Sequence, residues 1–290
     1  MRLGDEDESS NIEDRRGGGG GRGRGIGIGT IAIALVVSYF TGINPMTLLG
    51  IAEQVQAPTQ SARPLDPAQD PQAALKSEMA KVLRKTEVVW DELFRGMNGR
   101  YEPPVLVLFR GQTPTACGTG QAAMGPFYCP GDRKVYLDMA FFNELEQRFG
   151  AGGDFARAYV IAHEVGHHVQ NLLGVSQKTA ALRQRMSETD YNKVSVRVEL
   201  QADCLAGLWA QEANRRRPFL DPQDIDEALR AANAIGDDML QKQARGVVVP
   251  DSFTHGSSAQ RVHWFKTGFE ANSLGACDTF RRVADAGVTP

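Results

Sequence analysis

Cysteine is scarce, with four residues in 290, which excludes a small scaffold held together by dense disulfides. An excess of one charge is also missing: 32 Lys and Arg against 35 Asp and Glu leave a net charge of −3. Such a balance gives no basic footprint, so no nucleic-acid partner is expected. No internal repeat is visible. Histidine is sparse, yet three of the five fall within six positions, at His163, His167 and His168.

Apolar residues are nearly absent from residues 1–24, which are acidic and then Gly/Arg-rich. That composition predicts a disordered tail. Residues 25–52 then carry no charge at all. A membrane-spanning helix needs about 20 mostly apolar residues, so one transmembrane helix is expected over 25–46. A cleaved signal peptide suits the run less well, because its polar lead-in is long and no clean small-x-small site follows. Arg15, Arg16, Arg22 and Arg24 precede the span, which places the tail in the cytoplasm and the rest of the chain outside. The expectation is a single-pass inner-membrane protein with a periplasmic or extracellular domain. Residues 47–72, rich in Pro, Gln, Ala and Ser, read as a flexible linker.

The folded domain is expected over 73–290. Leu75, Met79, Val82, Leu83 and Trp90 recur at helical spacing. VLVLF (105–109) and KVYLD (134–138) read as strands, and from Ala140 the pattern is mostly helical. The fold class is α+β, mainly helical with a small sheet.

Asp154 is placed to cap a helix that Gly174 stops. On it, His163 and His167 lie four residues apart and share one face. Two neutral imidazoles at that spacing can hold one Zn²⁺, and Glu164 beside the first can reach a water without binding the metal. His168 is turned by about 100° from His167, so a hydrogen-bonded structural role suits it better. A third ligand is required, and the extended H-E-x-x-H-x-x-G-x-x-H pattern fails at Gln170 and Leu173. Downstream, Glu199 and Asp203 stand four apart in the apolar setting of Leu200, Ala202, Cys204 and Leu205. Glu199 is expected to complete the zinc site, and Asp203 to accept the free N–H of a ligating imidazole.

HEVGH followed by ELQAD resembles the gluzincin metallopeptidases. The runs CGTGQAAMGPFYCPGDRKVYLDMAFF, AHEVGHHVQ, VELQADCLAG and THGSSAQRVHWFKTGFE are similar to the bacterial neutral zinc metallopeptidase family of the YpfJ type, over about Lys76 to Cys277. The resemblance implies a zincin-like domain that hydrolyses peptide bonds, with one catalytic zinc ion on His163, His167 and Glu199 and Glu164 as general base. Peptides or proteins are then the substrate. THGSSAQR resembles the T-H-P…R segment of membrane-associated gluzincins, with Gly256 in place of proline. It offers His255 or Arg261 as donor to the oxyanion; alternatively His255 caps the next helix and Arg261 forms a surface ion pair. Tyr136 is a weaker candidate. KVYLD lies where gluzincins keep the edge strand that binds substrate. In an oxidising compartment Cys117 pairs with Cys129 and Cys204 with Cys277, one of three connectivities. The competing function is a non-catalytic zinc-containing module that binds an envelope partner. Glu164 separates the two, because a structural zinc site has no use for a base beside its ligand.

Overall fold

The computed structural model describes residues 1–17 and 69–281. The chain divides into one unit of Met1–Glu13 with Asp70–Pro290 and another of Asp14–Gln69, and the second falls almost wholly outside the described residues.

The domain is α+β. Helix α1 (Ala73–Gly96) buries Met79, Val82, Leu83 and Trp90 along one face, as its apolar spacing requires. Strands β1 (Ile12–Asp14), β2 (Val105–Phe109), β5 (Phe127–Cys129) and β6 (Lys134–Asp138) form a sheet in the order β1-β2-β6-β5. β2 and β6 run parallel, from Val105 opposite Lys134 to Phe109 opposite Asp138. β5 is antiparallel to β6 and ends the sheet. A hairpin of β3 (Gln112–Thr115) and β4 (Gly118–Gln121) leads into β5. KVYLD is therefore an inner strand, paired on both sides, and among the described residues the sheet ends on FYC at one side and on β1 at the other.

Helices follow: α2 (Ala140–Gln147), α3 (Asp154–Leu172), α4 (Val175–Arg183), α5 (Glu188–Arg216), α6 (Asp224–Ala234), α7 (Asp237–Arg245) and α8 (Ser258–Phe269). The main core is built on α3 and α5, where Phe155, Tyr159, Val165, Leu205 and Trp209 are all buried. Two glycine contacts set the helix crossings. A Cβ on Gly166 would stand 3.0 Å from the Ala202 carbonyl, so α3 lies directly on α5. A Cβ on Gly268 would stand 1.8 Å from the Cys204 carbonyl, so α8 presses equally close on the other side of α5.

The N-terminal segment differs from expectation. Residues 1–13 are not a loose tail: Met1, Leu3 and Ile12 pack against the core. The Met1 ammonium donates to both oxygens of Asp154 at 2.7 Å and to Asp224 at 2.9 Å. Ser9 donates its N–H to the Ala80 carbonyl at 3.0 Å, and Lys85 pairs with Glu6 at 2.6 Å. Polar contacts with the domain do what apolar content could not. Asp154, occupied in this way, does not cap α3; Glu227 accepts the Phe155 N–H at 3.0 Å instead.

The membrane topology is corrected accordingly. Met1–Glu13 and the domain from Asp70 belong to one compact unit, whereas the expected topology put them on opposite sides of a bilayer. Among the described residues no helix is long and apolar enough to cross a membrane. The single-pass inner-membrane placement is therefore withdrawn; the expected span over 25–46 lies outside the described residues.

Candidate metal centre

The close approach of α3 to α5 brings together His163, His167 and Glu199, whose donor atoms lie within 4.8 Å of one another. Glu199 Oε2 is 3.2 Å from His163 Nε2, and Glu199 Oε1 is 3.4 Å from His167 Nε2. The two rings stand 4.8 Å apart and nearly perpendicular, at 87°.

Each ring is oriented from behind. His163 Nδ1 meets Asp203 Oδ1 at 2.8 Å. Because a carboxylate accepts, Nδ1 carries hydrogen and Nε2 turns to the ligand group. Asp203 is itself fully buried. It receives Arg261 through Nε at 2.9 Å and Nη2 at 3.0 Å, and the Tyr159 hydroxyl at 2.6 Å. This paired, fully hydrogen-bonded arrangement is what a buried charge requires.

His167 is held differently. The Gln170 amide nitrogen donates to the Val198 carbonyl at 2.7 Å and to Gln201 Oε1 at 3.0 Å. Its oxygen must then face His167 Nδ1, at 2.9 Å, so that Nδ1 carries hydrogen and Nε2 again faces inward. Gln201 in turn donates to the Cys277 carbonyl at 2.9 Å.

The electrostatics favour a cation. Burial pulls the Glu199 carboxyl up, but the His167 and His163 rings outweigh it and hold it well below the usual range. Burial acts on Asp203 likewise, and Arg261 with His163 brings it down to about 2. Burial opposes charge on His163, yet Asp203 and Glu199 raise it to about 10. Since Nδ1–H belongs to Asp203 in either state, the proton given up to a metal is the one on Nε2. Burial pushes the Glu164 carboxyl up from its ordinary value, against the pull of His163 and His167. Two inward-facing imidazole nitrogens and one carboxylate fit zinc chemically.

The group opens on a cavity of about 780 Å³ lined by Glu164, Tyr128, Phe141, Phe149, Leu240 and His255, among others. His255 is exposed at this wall. Its Nδ1 lies 3.0 Å from Thr254 Oγ1 and 3.2 Å from Asp237 Oδ1, and Asp237 Oδ2 accepts the backbone N–H groups of Thr254, His255 and Gly256. The Asp237 hydrogen bond raises His255 above its ordinary value. His255 does not cap α8, because Ser257 does so in a capping box with Gln260. Arg261 is neither a surface ion pair nor an open donor: it is 3 % exposed and engaged with Asp203. Tyr136 donates to Asp132 at 2.7 Å within a separate apolar cluster. Cys117 is bonded to Cys129 and Cys204 to Cys277.

Sequence reasoning missed Asp237, Gln170, Tyr159 and Tyr128. Tyr159 and Gln170 lie one turn before His163 and one turn after His167, a spacing that could have flagged them. Asp237 is 18 residues from its histidine and left no such signal.

A histidine pair on one helix face, with His163 buried and His167 half-buried, a carboxylate one helix away and an open cavity define a metallopeptidase type of site. The chain belongs to the family described as "Putative neutral zinc metallopeptidase", which matches residues 1–280. It is 46% identical over 287 residues to "Uncharacterized protein YpfJ" of Escherichia coli K12, covering 97% of this chain and 99% of that protein. It is 44% identical over 211 residues to "Uncharacterized protein Rv2575" of Mycobacterium tuberculosis H37Rv, covering 69% of each. No solved structure matches it significantly.

Proposed function

We propose that this member of a zinc peptidase family is an endopeptidase acting on extended polypeptide, with His163, His167 and Glu199 holding the zinc. When bound there, zinc supplies Lewis acidity toward a water and the peptide carbonyl. Glu164 takes the proton of the attacking water and passes it to the departing amine nitrogen. A carboxyl raised by burial is suited to both halves of that transfer. His255, protonated and held through Nδ1 by Asp237, donates from Nε2 to the oxygen on which charge develops. Asp203, Arg261 and Tyr159 act as positioning residues behind His163. The edge of β5 that is unpaired among the described residues takes the substrate backbone as a further strand.

The observation that carries this reading is the placement of Glu164: it is buried beside a ligand yet lines the open cavity with His255. A non-catalytic zinc module would close its coordination and leave such a carboxyl without a task. The test uses the purified full chain with a peptide library. Cleavage is expected internal to the peptides, abolished by chelation and restored by zinc. A protein that binds zinc in equal amount and cleaves no peptide would rule out the enzymatic reading.

A further inference from the structure

We propose that His168, which ligates nothing, is the positioning residue that seats edge strand β5 on the metal-bearing helix and so sets where an extended polypeptide lies relative to His163 and His167. The inference rests on the peptidase reading and adds the means by which substrate and metal are brought into register.

His168 is fully buried. One residue beyond His167, it is rotated about 100° around α3 and faces away from the ligand group. Its Nε2 lies 2.6 Å from the Glu102 carbonyl. A carbonyl only accepts, so Nε2 carries hydrogen. Its Nδ1 lies 3.0 Å from the Tyr128 hydroxyl. That hydroxyl receives the Asn171 amide N–H at 3.0 Å, so its own proton goes to His168. Edge contacts complete the setting, with the Tyr128 ring at 5.4 Å and the Tyr101 ring at 5.8 Å.

Tyr128 is the central residue of β5, a strand of three residues that among the described residues pairs with β6 alone. It also lines the cavity. With its proton given to His168, the Tyr128 hydroxyl is part of the wall and not a donor for substrate. What β5 presents to a substrate is its backbone. An apolar side chain at position 168 would fill the same space without polar partners, but it would not fix β5 in register. A satisfied buried network does, because any displacement leaves a polar group unpaired. Adjacent residues of one helix thus do two tasks: His167 faces the metal group and His168 holds the strand.

The test compares Tyr128→Phe and His168→Gln with the parent, as full-length zinc-loaded proteins. Tyr128→Phe removes a single oxygen and serves where His168→Gln fails to fold. Both variants are expected to bind zinc as the parent does. Amide hydrogen exchange at Phe127–Cys129 is expected to accelerate about tenfold, the net worth of one hydrogen bond, with α3 unchanged. KM for an extended peptide is expected to rise about tenfold on the same ground, with kcat nearly constant. Unchanged exchange at β5, or exchange that rises equally along α3, would overturn the proposal, as would a loss confined to kcat. Should the parent cleave nothing, the peptidase reading fails by itself. Exchange, together with binding of a fluorescein-labelled peptide from denatured casein, then still decides whether His168 seats the strand.

Discussion

The two imidazoles that face Glu199 are held by opposite means. Behind His163 stands a buried charge system of Asp203, Arg261 and Tyr159. Behind His167 stands a neutral amide, Gln170, tied to a backbone carbonyl and a second amide. Both supports fix the same tautomer, so orientation alone does not require charge. The charged side does something further: it joins α3, α5 and α8 at one point, because Arg261 comes from α8 and Asp203 from α5. The neutral side joins only α3 and α5 around the ring, with Gln201 passing the contact on to Cys277. The expectation is that His163's support is structural as well as chemical, while that of His167 is mainly chemical.

The largest effect should come from breaking the charged side. Asp203→Ala leaves Arg261 buried without its partner, which costs about 3–5 kcal/mol. Denaturant unfolding should register this, with zinc affinity lost alongside. An Asp203→Ala protein as stable as the parent would remove the structural half of the contrast.

Next comes the third histidine. Burial lowers His168 to about 4 from the ordinary 6.5. The unfolded chain therefore takes up a proton before the folded one does. The stability tied to neutral His168 is fully present above pH 6.5 and is lost as pH falls through about 4. At 1.36 kcal/mol per unit of pKa this is on the order of 3 kcal/mol. Metal-free parent and His168→Gln should thus diverge above pH 6.5 and converge toward pH 4 in denaturant titrations. A constant difference across that range would show that the ring is not buried neutral.

The smallest effect belongs to the neutral side. Gln170→Ala frees the His167 ring and should weaken zinc about 10- to 100-fold, at a stability cost of about 1–3 kcal/mol. Gln170→Glu should not restore zinc affinity: it offers His167 a carboxylate, but its second oxygen then faces the Val198 carbonyl and Gln201 Oε1, both acceptors, in place of the amide N–H groups that served them. Equal zinc affinity in all three proteins would mean that Gln170 does not orient the ligand.

Much of the cluster of His163, His167 and Glu199 was legible from residue spacing. His163 and His167 share a helix face, and Glu199 and Asp203 repeat that spacing on a second helix in apolar surroundings. Asp237, by contrast, meets His255 only because the turn at Thr254–Gly256 folds back on the start of α7. Arg261 read either as a donor to the oxyanion or as a surface ion pair, because nothing local announces that Gly268 lets α8 press onto α5. The α+β class could be read from element types, but strand order could not: KVYLD carries a strand signal that says nothing of β5 pairing along its side. The N-terminal segment misled for a related reason. Low apolar content predicts disorder, and it gives no sign that an ammonium and a few carboxylates will find partners on a distant helix.

The central claim, that Glu164 is the base of a zinc peptidase and not a passive neighbour of a ligand, is tested most directly by Glu164→Gln. Zinc content and peptide hydrolysis should be measured on one preparation beside the parent. The account predicts full zinc occupancy with hydrolysis reduced by about a thousandfold, within the range for loss of a general base. Zinc retained with hydrolysis at the parent's rate would contradict it.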